Sequence, residues 1–403
     1  MRAPSTARSW RSPTRIAEPL AHGYNHAVGT PPPAVPPPAK IAAALATKVF
    51  GQPDAVREIS VALAKKLANL RVGNVLLIGS SGSGKTTLMR AVEELLAANP
   101  SLALRSTAVR IHASVLGEEA GEGRAGETLL RRLLERAREQ LGAEAPVERI
   151  LAQASHGLVF IDEVDKIRSR VGDQVQVSGI RAQEALLTLI ENEAVPLRLP
   201  EWAGGGTAQV DSSHLLFICA GAFEGLYEAV FKRVVLGGGE QELKATTVTA
   251  SGRIQEEVRF SLREWLRSED LFEYGMTPQF LSRFDAVVIL DPLSEAELYR
   301  IFAESAESPL RQSHAFFASQ GLRLELSEQA ARRIAAEAAR HPRLGARSLK
   351  EVFRRVISAY EFDPQLAPDA ASGKVRIELA AVERALAREQ DGAATAMRGW
   401  GTP

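Results

Sequence analysis

A single cysteine, Cys219, stands in a chain of 403 residues. One thiol closes no internal disulfide and builds no Cys-rich zinc site, so a reducing, cytoplasmic setting is expected. Charge of one sign is missing as well: 49 Lys and Arg balance 49 Asp and Glu, for a formal net charge of zero. That balance excludes a strongly basic nucleic-acid coat protein and an acidic solvating chain, while leaving local patches open. Long hydrophobic runs are lacking. The stretch Leu215 to Phe223 is about half of a membrane span, and no membrane partner is expected. The seven histidines show no H-E-x-x-H or Cys/His metal spacing. No G-x-S-x-G nucleophile elbow occurs, so no intrinsic peptidase is legible.

What is present is average for a globular protein: 45% hydrophobic and 24% charged residues, at a length that suggests two or three domains. Residues 1–40 read as a tail. Arg2, Arg8, Arg11 and Arg15 face one acid, Glu18, and six prolines fall between Pro31 and Pro38. The proline run favours an extended spacer. The Arg- and Ser-rich start reads as a solvated tail or as a transit peptide. From 41 to 291, helical patterns alternate with short apolar runs: Val75–Ile78, Ala108–Ile111, Leu158–Ile161, Leu215–Ile218 and Ala286–Leu290. Their bulky, β-branched content predicts buried parallel strands in an α/β αβα sandwich. After Pro292 the pattern becomes helical. Ser294 with Glu297 is a capping-box signature, and Ser327 opens a second helix over 328–340. A third helix is expected over 347–360, a strand at Val375–Leu379 and a last helix near 380–390. Residues 292–390 thus read as a small helical domain, and 391–403 as a flexible tail.

Two motifs carry chemistry. Gly79-Ser80-Ser81-Gly82-Ser83-Gly84-Lys85-Thr86 fits G-x-x-x-x-G-K-[ST] in full. It follows an expected strand and opens an expected helix at Thr87. Glycines let backbone N–H groups turn inward around a phosphate, and the helix N-terminus adds partial positive charge. Lys85 is expected to reach the phosphates of ATP, and the Thr86 hydroxyl to ligate Mg2+. The second motif is Asp162-Glu163, directly after Leu158–Ile161. A carboxylate at the tip of a buried strand needs a compensating cation or hydrogen bonds. Mg2+ beside the phosphate loop supplies one, with Asp162 holding the metal and Glu163 polarising the attacking water. Taken alone, the pair also reads as a helix cap.

Several segments resemble AAA+ ATPases of the ClpX/HslU group. Gly157–Ile167 is similar to their Walker B segment, and Val177–Glu191 to the helix that follows. Leu215–Leu226 is similar to the next strand and turn. Thr277–Asp285 resembles the segment carrying the arginine finger, and Leu344-Gly-Ala-Arg347-Ser-Leu the sensor-2 motif. Phe50-Gly51-Gln52 resembles the segment flanking adenine. The resemblance implies a P-loop αβα large domain with a small helical lid, and a homo-oligomer in the form of a hexameric ring. It implies that Arg283 projects into a neighbour's nucleotide and that Arg347 contacts phosphates of its own subunit. On spacing alone, both arginines read as surface ion-pair partners.

The sequence departs from that family in ways that bear on function. A four-cysteine zinc domain cannot be built from Cys219. Where the family carries an aromatic pore-loop pair, Glu118–Glu127 has Gly121-Glu122, which offers little apolar grip and predicts an acidic pore. A basic tail or peptide is one ligand for such a pore. The protease-docking loop has no counterpart of its phenylalanine in Leu236–Lys244, so ClpP is not an expected partner. Residues 196–207 replace a basic substrate-selecting loop, with Trp202 read as an exposed contact or a locally packed ring. No Asn or Thr stands at the sensor-1 position near Cys219–Gly221. The expectation is an ATP-dependent machine that remodels a protein partner. Two alternatives are a nucleic-acid motor, which neutral charge and an acidic pore disfavour, and a slowly hydrolysing ATP-gated scaffold.

Overall fold

The computed structural model describes residues 35–387, apart from 100–101, 103–105, 123, 125, 192–193, 238–243, 249–253, 259 and 368, and of 244–248 and 254–258 only the backbone. The tails at 1–34 and 388–403, and most of the Leu236–Lys244 stretch, lie outside the described residues. Among the described residues no helix is long and apolar enough to cross a membrane.

Five strands form the central sheet: β1 (Asn74–Ile78), β2 (Ala108–His112), β3 (Leu158–Asp162), β4 (Leu216–Gly221) and β5 (Phe284–Ile289). All pairings are parallel, in the order β5-β1-β4-β3-β2. The five apolar runs of the sequence are these strands, with ends that coincide or shift by up to three residues. Side chains alternate between faces. Val75, Leu77, Phe160 and Ile218 enter a core shared with helices α1 (Pro38–Ala46), α2 (Pro53–Leu67) and α3 (Lys85–Ala97). Leu76, Ile78, Ile161 and Phe217 enter a second core on the other face, against helices Glu127–Leu141 and Val177–Glu191. Apolar burial on both faces is what holds a parallel sheet together. Cys219 lies within this second core, where burial raises its thiol above the ordinary range.

The start of α1 differs from the expectation. Pro38 is its first residue rather than part of an extended spacer, and Ile41 and Leu45 are buried against α2. Proline suits that position because its missing N–H would have no helical partner there.

A third core occupies residues 293–386. Helices Glu295–Glu304, Pro309–Ser319, Glu328–Ala339, Ala346–Phe362 and 379–387 surround a parallel strand pair, Arg323–Leu326 with Lys374–Ile377. The first helix has the expected capping box: Glu297 N–H donates to Ser294 Oγ, and Ser294 N–H donates to Glu297 Oε2. This helical lid touches the phosphate loop directly. Ala346 N–H donates to the Gly82 carbonyl at 3.0 Å. Gly82 sits at φ +73°, and a Cβ there would stand 2.2 Å from the Leu344 carbonyl oxygen, so only glycine fits this contact.

The acidic stretch folds differently from an open charged loop. Residues Ala113–Gly121 are helical, and Glu119 is buried. Its carboxylate accepts from Gly126 N–H at 3.0 Å and Thr128 N–H at 2.8 Å, capping helix Glu127–Leu141. Glu122 pairs with Arg124, and Glu127 with Arg131. Much of the expected negative charge is therefore used internally, while Glu118 is exposed. Trp202 lies on a turn between strands Val195–Arg198 and Thr207–Val210, with the Arg138 guanidinium 4.3 Å from its ring centroid. The local-packing reading holds for this residue.

Candidate nucleotide site

The carboxyl ends of β1, β3 and β4 face one cavity, the usual position for a ligand in an open parallel sheet. The cavity has a volume of about 720 Å³ and lies between the large domain and the lid. That volume is within the usual range for small-molecule sites. Gly82 and Gly84 take φ of +73° and +106°, which turns the loop after β1 so that it feeds α3. Ser81 to Thr87 line the cavity. Ser83 Oγ is buried with no hydrogen-bond partner among the described residues, an orphaned polar atom in a loop shaped for phosphate.

Lys85 is buried, and its ammonium donates to the carbonyls of Gly79 at 2.5 Å and Ser80 at 2.8 Å. Gly79 and Ser80 thus act through backbone oxygens behind the loop. Burial lowers the Lys85 pKa to about 8; Asp162 and Asp165 oppose that shift, and Arg347 adds to it. The consequence is a pH dependence with a definite sign. A polyphosphate binds the ammonium form, which is fully populated in the free site only below about pH 7 and is lost as pH rises through 8. Affinity for ADP, measured by titration calorimetry, should be level below about pH 7. Above about pH 8 it should weaken, approaching tenfold per pH unit. A flat profile to pH 9.5 would mean that Lys85 keeps its proton there, against the lowering by burial.

The Thr86 hydroxyl donates to Asp162 Oδ2 at 3.1 Å. Asp162 Oδ1 accepts from Glu163 N–H at 2.9 Å. Among the described residues no group of three or more His, Cys, Asp or Glu could hold a metal alone. The Thr86–Asp162 oxygen pair instead suits magnesium, which keeps most of its shell for water and substrate phosphates. Glu163 adopts φ +59°, ψ 35°, a left-handed conformation that is strained for a side chain of this size. Its carboxylate is half exposed and stands 3.8 Å from His112 Nδ1. His112 is the register partner of Asp162 at the tip of β2.

Arg347, in the first turn of helix Ala346–Phe362, lines the cavity from the lid. Phe50 lines the other end, with Arg300 of the lid 4.9 Å from its ring. Two ion pairs border that end, Lys48–Glu94 and Arg90–Glu307, the second joining α3 to the lid. Gln52 does not line the cavity. Its amide donates to the carbonyls of Ser83 and Asp291 and accepts from Asp291 N–H, bracing the loop against the segment after β5.

Arg283 is the one predicted site residue far from the others. It precedes β5 at the amino end of the sheet and pairs with Glu191. The six-residue strand separates it from the cavity end by roughly 20 Å. Sequence reasoning missed two residues here, His112 and Asp165. Asp165 falls in the named segment Gly157–Ile167 and His112 directly after the named strand Ala108–Ile111, but the place of His112 beside Asp162 depends on sheet register and that of Asp165 on the turn after β3.

Phosphate loop, strand-tip acid and helical lid around a single cavity define a P-loop ATPase. The chain belongs to the AAA family: residues 70–287 match the profile of the AAA domain (Cdc48 subfamily). It is similar to the ATP-dependent Clp protease ATP-binding subunit ClpX 3 of Methylococcus capsulatus, with 33% identity over 317 residues, covering 76% of this chain and 67% of that protein. The ClpX subunit of Porphyromonas gingivalis is 28% identical over 343 residues, 80% of this chain and 76% of that one. The subunit of Bacteroides thetaiotaomicron is 28% identical over 349 residues, 82% and 77% respectively.

Proposed function

We propose that this ATPase works as a homo-hexameric ring that remodels a protein partner. Residues 41–291 form the large domain and 292–390 the lid, and ATP hydrolysis moves one against the other. The observation that carries this reading is the split between Arg283 and the rest of the site. Lys85, Thr86, Asp162, Glu163 and Arg347 border one cavity at the carboxyl end of the sheet, whereas Arg283 stands at its amino end. A guanidinium so placed cannot serve its own cavity, but it can serve that of a neighbour.

Within each site, the chain's groups divide the work. Lys85 neutralises phosphate charge, and the Gly79–Gly84 loop offers its backbone N–H groups. Thr86 and Asp162 hold magnesium, which when bound neutralises charge on the phosphates. Glu163 takes a proton from the attacking water. Arg347 and the Ala346–Gly82 hydrogen bond tie the cavity's contents to the lid, so that loss of phosphate alters the lid's contacts. The partner is a specific protein assembly rather than any polypeptide, because Gly121-Glu122 lacks aromatic grip and Glu119 is used as a helix cap. Coupling to ClpP is not part of the proposal, since Leu236–Lys244 lacks the phenylalanine.

Light scattering of the full chain tests the assembly. With ATP and magnesium, a particle six times the mass of one chain is expected. A chain that stays monomeric with saturating nucleotide would contradict the reading.

A further inference from the structure

Helix Val177–Glu191 touches both the segment that follows the strand-tip acids and the segment that carries Arg283. On its inner face Gln183 is 1% exposed. Its side-chain nitrogen donates to the carbonyls of Ile167 at 2.7 Å and Gly275 at 3.0 Å. Its side-chain oxygen accepts from Thr277 N–H at 2.8 Å and from the Thr277 hydroxyl at 2.9 Å. A carboxamide has two N–H donors and two acceptor positions, and here all four are taken. The partners also fix which way the amide points, since a backbone carbonyl only accepts and a backbone N–H only donates.

From this amide to Arg283 the path is short. Thr277 caps helix Pro278–Leu281, where its Oγ1 accepts from Phe280 N–H at 3.4 Å. The Phe280 carbonyl accepts in turn from Arg283 N–H at 3.2 Å. Phe280 is fully buried, its ring edge-on to that of Phe284 with centroids 5.0 Å apart, which seats the turn in the close-packed core. About two turns beyond Gln183, Glu191 of the same helix pairs with the Arg283 guanidinium itself. The helix lies hard against the segment after the strand-tip acids, for a Cβ at Gly179 would stand 1.8 Å from the Arg168 carbonyl oxygen. An exposed ion pair alone holds an arginine loosely. A buried amide with every bond made holds the backbone behind it in one arrangement.

We propose that Gln183 is a positioning residue for Arg283. Gln183 does not line the cavity of its own subunit. It acts on the site of the adjacent copy, by fixing the turn from which Arg283 reaches that site. This role rests on the reading of Arg283 as an arginine offered to a neighbour.

Gln183→Met keeps the length of the side chain and removes all four bonds. Its placement in mixed particles separates positioning from folding. Lys85→Ala supplies Arg283 but has a disabled cavity, and Arg283→Ala supplies a cavity but no guanidinium. Added to the Lys85→Ala chain, Gln183→Met should lower phosphate release of the preassembled mixture by about tenfold or more. Added to the Arg283→Ala chain, it should leave release within about threefold, because that chain has no Arg283 to misplace. A merely structural role would move both placements alike. Thr277→Val loses the hydroxyl that joins Gln183 to the helix cap and should repeat the asymmetry, whereas Thr277→Ser should behave as the parent chain. If Gln183→Met does not assemble, the two Thr277 variants decide alone. The proposal is overturned if the loss is equal in both placements, larger in the cavity-supplying chain, or absent. If the mixture without these changes is no more active than its two components, the reading of Arg283 itself fails. If that mixture is active and the two placements behave alike, only the role of Gln183 is removed.

Discussion

Arg283→Ala is expected to cut ATP turnover by about a thousandfold or more while leaving nucleotide affinity within about twofold. An arginine supplied to developing phosphate charge by a neighbour has effects of that size, because it acts on the transition state and barely on ground-state binding. The geometry makes the variant clean. Arg283 is exposed and pairs with an exposed Glu191. Loss of such a surface pair changes stability by roughly 0–1 kcal/mol. The backbone contact of this residue, its carbonyl accepting from the Asn74 side-chain amide at 3.0 Å, survives truncation to alanine. A collapse of turnover without a matching change in Tm therefore reports on chemistry. Steady-state phosphate release, with ADP affinity and Tm measured on the same preparation, checks the expectation.

Glu163→Gln should lower kcat by roughly a hundredfold to ten-thousandfold, the usual span for a positioned general base. ATP binding should persist, because Lys85, Thr86 and Asp162 are untouched and the Glu163 side chain forms no bond that holds the loop. Its carboxylate stands 3.8 Å from His112 Nδ1. The strained backbone at φ +59° is shared by Glu and Gln, so the substitution brings no new strain. The variant, held with ATP, should retain its protein partner in a pull-down that the wild-type chain with ATP releases. Equal turnover of both forms would mean that the base lies elsewhere.

These expectations use parts of the molecule that were legible to different degrees. The five strands of the sheet were readable because burial on both faces demands continuous β-branched and bulky runs, as in Leu158–Ile161 and Val75–Ile78. The phosphate loop was readable because its glycines and Lys85 are fixed by local geometry within eight residues. The strand Arg323–Leu326 was not, since its pairing partner is some fifty residues away at Lys374–Ile377. Glu119 read as a free surface charge, because its role depends on the backbone of residues seven and nine positions later. Gln52 read as a nucleotide neighbour; folding spends its amide on Ser83 and Asp291, the second of which is 239 positions distant. Asp165 escaped for a similar reason. Its position over β4 exists only because Gly221, on another strand, leaves space. Local chemistry was visible in the sequence, whereas contacts across strands required the fold.

The central claim is that each catalytic site is completed by a second copy of the chain. Mixing two inactive variants tests it most directly. Lys85→Ala disables its own cavity but still offers Arg283 to a neighbour, and Arg283→Ala offers no guanidinium but keeps its own cavity intact. Phosphate release from a preassembled equimolar mixture should exceed the sum of the two variants measured alone by at least about tenfold. A mixture no more active than that sum, in particles shown to contain both variants, would contradict the account.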